Sequence, residues 1–198
     1  MAVQSVNAED RPIARRASVL LIVVGAMWLV RIVDTFRSSG VSVIGMGIVP
    51  RTWAGLYGIP IAPFVHVSWP HLIANTIPLL ILGSLVLVGG VGEFLFVFIT
   101  TSLLGGAGTW LLGAPHTQHV GASGVVFGLF GYLISRAAFD RKLSSVLITV
   151  VVGIAYGTAM LLSLVPQAGI SWSGHFFGFL AGVAAARLRH PRRTGITQ

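Results

Sequence analysis

The feature that most constrains this chain is a succession of apolar runs, each long enough to cross a bilayer and separated by short polar or glycine-rich breaks. A spanning helix needs about 17–25 mainly apolar residues, and only a helix or a closed barrel satisfies its own backbone inside hydrocarbon. Six runs qualify, at about 17–33, 72–91, 94–112, 121–138, 146–165 and 173–188. Composition agrees, with 55% hydrophobic and 9% charged residues and a mean hydropathy of +0.88. A soluble domain carries roughly a quarter charged residues. The net charge of +8 therefore does not point to nucleic acid. In a membrane protein the basic residues mark topology. With no cysteine, disulfides and thiolate metal sites are excluded.

The first run follows Arg11, Arg15 and Arg16, as a signal peptide would, but no small-residue cleavage site closes it. It reads as a retained helix. Residues 34–70 form a long connection rich in glycine and proline yet apolar, with Trp53, Leu56, Tyr57, Phe64 and Trp69. Such a loop is too greasy to be solvated and is expected in the membrane interface. A tight turn around Glu93 joins the second and third runs, and Asp140, Arg141 and Lys142 mark the turn after the fourth. Six spans put both ends of the chain on one side. Ten of the thirteen basic residues fall there, which places that side in the cytoplasm. The expectation is an all-α membrane protein: a six-helix bundle over residues 17–188 with a long interfacial first loop. Cytoplasmic tails at 1–16 and 189–198 flank it.

In that arrangement the second, fourth and sixth helices begin at the outer face, and each puts polar chemistry there. His71 and Asn75 open the second, Ser123 the fourth and His175 the sixth. Ionisable groups at membrane depth are costly and are functional candidates by default. The fourth helix carries a smooth stripe of Gly121, Gly124, Gly128, Gly131 and Ser135. The sixth carries Gly174, Gly178, Ala181, Gly182 and Ala185. Such stripes let two backbones approach closely. Ser123 and His175 lie beside them, so close packing could bring the hydroxyl within a general base's reach of the imidazole. Phe127, one turn below Ser123, could pack on that ring or simply fill the core. His71 and Asn75, four apart, share a helix face and could donate to an oxyanion beside the Ser123 amide. A helix-to-helix hydrogen bond is the plainer role for Asn75, and an interfacial position for His71.

The set His71-x-x-x-Asn75, Gly121-x-Ser123-Gly124 and His175-x-x-Gly178-x-x-x-Gly182 resembles the rhomboid intramembrane serine proteases over about residues 60–190. The resemblance implies that Ser123 is the nucleophile and His175 the general base, without a carboxylate. It also implies that Asn75, His71 and the Ser123 backbone line the oxyanion hole. Substrates would be single-span membrane proteins cut near the outer face of the lipid bilayer, with no cofactor, no metal and no nucleic acid. Phe127 stands where many members have tyrosine. A tryptophan–arginine pair common in the first loop of bacterial members is absent, the nearest residues being Arg51 and Trp53.

Other intramembrane chemistries fit less well. The acids are Glu9, Asp10, Asp34, Glu93 and Asp140, and none falls inside an expected span, so a facing aspartate pair is lacking. No His-Glu-x-x-His motif occurs. One alternative is a metal transporter or sensor using His66, His71, His116, His119 and His175. A transporter, however, usually needs polar groups at midplane, and here polarity is expected only in the outer third. The remaining alternative, a catalytically silent rhomboid-like chaperone, is disfavoured by the presence of both Ser123 and His175.

Overall fold

Two helices without room for side chains between them set the architecture. A computed structural model describes residues 10–36, 43–165 and 171–191. Within it, α6 (Ser123–Asp140) and α8 (Trp172–Arg189) lie against each other along their glycine stripes. A Cβ on Gly178 would collide with the Gly124 carbonyl, and one on Gly182 with the Gly128 carbonyl. Gly131 is pressed just as closely onto the Phe179 carbonyl. Nothing larger than hydrogen fits at such contacts, which is how small residues join helices where lipid offers no hydrophobic drive. Every residue of α6 from Val125 to Leu133 is buried.

Around this pair stand α1 (Asp10–Phe36), α3 (Trp69–Leu87), α4 (Val91–Thr100) and α7 (Leu143–Leu162). A π-helical turn, Thr101–Gly105, continues α4 into α5 (Gly106–Leu112) as one apolar rod. The turn sits where Gly105 meets Gly178, with 3.0 Å between a would-be Cβ and the Gly178 Cα. Among the described residues four helical stretches are long and apolar enough to cross a membrane: Ile13–Phe36, Trp69–Leu87, Val91–Leu112 and Leu143–Leu162. The chain is an integral membrane protein. α6 and α8, 18 residues each, fall outside those four because glycine and terminal charges replace large apolar groups. α1 and α7 are the least embedded of these helices, with only Leu20 and Met27 buried in α1 and Ser145, Val152 and Met160 in α7 among the described residues. The helix starts and ends differ from expectation by a few residues, except that α1 begins at Asp10. The expected tails fall partly outside the described residues, at 1–9 and 192–198, as does the loop at 166–170.

The described part of the first connection contains a short helix. Thr52 caps α2 (Trp53–Ile61) by accepting a hydrogen bond from the Gly55 amide at 3.0 Å. Gly55 and Gly58 rest on the Val49 and Gly47 backbones, while Trp53 and Tyr57 are 84% and 76% exposed. That aromatic outer face suits a membrane interface.

One expectation is overturned. Polarity is not confined to the Ser123 end, because a buried network closes the opposite end of the bundle. Glu93, expected in a turn, lies in the first turn of α4 and is buried. It accepts a hydrogen bond from the Tyr132 hydroxyl at 2.5 Å and pairs with Arg136 at 2.8 Å. Arg136 also holds Asp140 at 2.9 Å, and Ser145 of α7 donates to the same carboxylate at 2.6 Å. Since the tyrosine proton goes to Glu93, the His190 Nε2–H donates to the Tyr132 oxygen, 3.0 Å away. Tyr132, Arg136 and Asp140 recur every four residues on one face of α6, so the helix presents them together. Burial and the neighbouring Arg136 charge both lower the His190 pKa.

Candidate active site

The polar residues of three helix starts converge on a cavity of about 1100 Å³ lined by His71, Asn75, Ser123, Phe127 and His175. Ser123 occupies the first helical position of α6, where the amides have no intrahelical acceptor. The residue two before it, Gly121, has φ +109°, a conformation that a side chain would strain. Its missing side chain also makes room, since a Cβ there would lie 2.8 Å from His71 Nε2 and 3.7 Å from Asn75 Nδ2. The backbone entering Ser123 is thus seated directly on the His71 imidazole.

His175 lies in the first turn of α8, its backbone N–H donating to the Ser171 carbonyl. Its ring is stacked on Phe127, with centroids 4.2 Å apart and planes within 6°. Nδ1 lies 2.9 Å from the Ser163 carbonyl. A carbonyl can only accept, so Nδ1 carries the proton in the neutral ring, and the Nε2 lone pair is left free to act as a base. Among the described residues no hydrogen bond joins Ser123 Oγ to this ring. Such contacts in hydrolases often tighten only with substrate bound.

Asn75 donates one amide hydrogen to the His71 carbonyl at 2.8 Å and keeps a second hydrogen to offer. This bond stays within α3. His71 Nδ1 is buried without a hydrogen-bond partner. The supporting glycines Gly124, Gly178 and Gly182 all lie in the seam that fixes the α6–α8 spacing.

Two groups were missed by reasoning from sequence. Ser163 contributes only a backbone carbonyl, which no residue pattern reveals. His66 is buried, accepts the Ala122 N–H on Nε2 at 3.3 Å and lies edge-on to His71, centroids 5.1 Å apart. It braces the backbone just ahead of Ser123. Burial first, then the nearby His71, lowers its pKa from 6.5 to about 4. Its spacing of five before His71 was visible, but sequence alone suggested a metal ligand. Among the described residues no group of three or more potential metal ligands converges. His119 is likewise engaged elsewhere, with Thr117 and Ser171.

The family model for the rhomboid domain matches residues 53–192. An uncharacterized protein of Mycobacterium tuberculosis is 40% identical over 178 residues, covering 85% of this chain and 73% of its own length. A Mycobacterium leprae protein, also uncharacterized, is 35% identical over 179 residues, covering 85% and 69%. The rhomboid protease GluP of Bacillus subtilis is 28% identical over 136 residues, which is 65% of this chain and 25% of GluP.

Proposed function

The chain belongs to the rhomboid family of intramembrane proteases, and from that membership we propose that it hydrolyses peptide bonds in or near the transmembrane segments of single-span proteins by a Ser123–His175 dyad. The observation that carries this is the fixed tautomer of His175: the Ser163 carbonyl holds Nδ1–H and leaves Nε2 unprotonated on the cavity that Ser123 lines. The carbonyl takes the orienting part that a carboxylate plays in a triad.

In the proposed reaction Nε2 accepts the Ser123 proton as Oγ attacks the scissile carbonyl. The oxyanion is met by the Ser123 amide, by the second Asn75 hydrogen and by His71, each good donor being worth about 3–4 kcal/mol. His175 then gives its proton to the leaving amine, and water entering the cavity repeats the sequence on the acyl-enzyme. Phe127 keeps the imidazole plane fixed throughout. Six spans are proposed, formed by α1, α3, the α4–α5 rod, α6, α7 and α8, with α2 in the outer interface. Both ends then lie in the cytoplasm of a bacterial cell, and the cavity opens on the other side of the plasma membrane. The charge distribution of the loops supports this orientation.

The decisive experiment pairs cleavage of a tagged single-span substrate with labelling by a fluorophosphonate. Ser123→Ala should abolish both while the protein still accumulates in the membrane; a variant that keeps either one would end the assignment.

A further inference from the structure

A serine–histidine hydrogen bond lies four residues upstream of Ser123 and His175 on both chain segments. His119 is four residues before Ser123, and Ser171 is four before His175. Their side chains meet, with His119 Nδ1 2.6 Å from Ser171 Oγ across 52 residues of sequence. The protons in this contact are determined by its surroundings. Thr117 Oγ1 donates to the Ala114 carbonyl at 2.6 Å, so toward His119 Nε2, 2.8 Å away, it can only accept. Nε2 therefore carries the ring proton, and Nδ1 accepts from the Ser171 hydroxyl.

His119 lies in the loop four residues ahead of α6, and Ser171 directly precedes α8. The His119 backbone pairs in both directions with Ile48, each bond 2.9 Å, which pins this loop to the first connection. Ser171 is the N-cap of α8, and its hydroxyl makes no capping bond to an amide but faces His119. Its carbonyl still receives the His175 N–H at 3.1 Å. Both His119 and Ser171 line the cavity beside Ser123 and His175. The glycine seam fixes the two helices along their length; ahead of their first turns, the His119–Ser171 bond ties the segments that enter them.

We infer that His119 is a positioning residue, whose bond to Ser171 ties the segments entering α6 and α8 and thereby sets the reach of His175 Nε2 to Ser123 Oγ. It touches no reacting atom. The inference rests on the protease reading above, and its test separates the two. Full-length protein in proteoliposomes would be assayed for kcat and KM on a tagged single-span substrate and for the rate of fluorophosphonate labelling, in wild type, His119→Ala, Ser171→Ala and the double variant. Misplacement of a dyad by a fraction of an ångström should lower kcat and labelling rate together by about tenfold in each single variant, with KM within about twofold. The double variant should be no slower than the slower single one, because one bond is being removed. Ser171→Ala deletes only an oxygen, so it keeps the test valid where His119→Ala accumulates poorly. Single variants with wild-type kcat and labelling, losses that multiply in the double variant, or an effect confined to KM would each overturn the positioning role while leaving the dyad intact. Wild type that is neither labelled nor active would overturn the protease reading, and the positioning role with it.

Discussion

A histidine becomes a usable base only when something decides which nitrogen holds its proton. In this chain a backbone carbonyl, that of Ser163, does so for His175, and the flat stack on Phe127 limits rotation of the ring. Phe127→Ala should therefore reduce cleavage while Phe127→Leu, which keeps bulk without the flat face, recovers only part of it; initial rates on one substrate decide. Asn75→Ala should cost about 10²-fold in kcat, the usual loss for one oxyanion donor. An unchanged rate would remove Asn75 from that role. His66 supplies a pH prediction. Its folded pKa of about 4 lies below the unfolded 6.5, so the unfolded chain binds the extra proton between those values. The resulting stability is complete above pH 6.5 and is lost as pH falls toward 4. The unfolding midpoint in detergent should drop over that window, and drop less in His66→Asn. Ser123, His175, His71 and Asn75 were legible because each is a polar residue in an apolar setting. The partners of His66 and His175 are main-chain groups, and these leave no trace in residue identity.

At the level of elements, the seam between α6 and α8 is the least forgiving part of the bundle. Gly182→Val should separate the two helices and remove both activity and thermal stability, since even a Cβ collides with the Gly128 carbonyl. Gly153 and Gly157 of α7 provide the control. Nothing lies within 4 Å of a Cβ at either, so Gly153→Ala should leave the unfolding midpoint unchanged or slightly raised. The seam could be read beforehand because its glycines recur at helical spacing. The π-helical turn at Thr101–Gly105 could not, as it depends on contact with Gly178, a residue more than 70 positions away. Nor was α2 read as a helix, because Pro60 and its glycines imitate a loop.

Across the whole molecule, polar groups hold the bundle at both ends, and the end away from Ser123 is held by charge. Arg136 and Glu93 keep only 12% and 8% of their side-chain surface exposed. Removing one partner strands the other, at a cost of about 3–5 kcal/mol. Arg136→Met should thus lower stability sharply, and Arg136→Met with Glu93→Gln should regain part of it, as read by denaturation in mixed micelles. Counting charges along the chain treats basic residues as topology markers and cannot show that Arg136 pairs with Glu93, 43 positions away. A last consequence comes from how little hydrocarbon α6 and α8 carry compared with their neighbours. Leaving the ribosome, α6 meets the translocon before its glycine-faced partner has been made, and its own apolarity offers weak insertion. Only the arrival of α8 gives it a mate and supplies His175 in the same event. In the proposed dyad the base is thus the last part to be made, and a nascent chain acquires it only when α8 emerges.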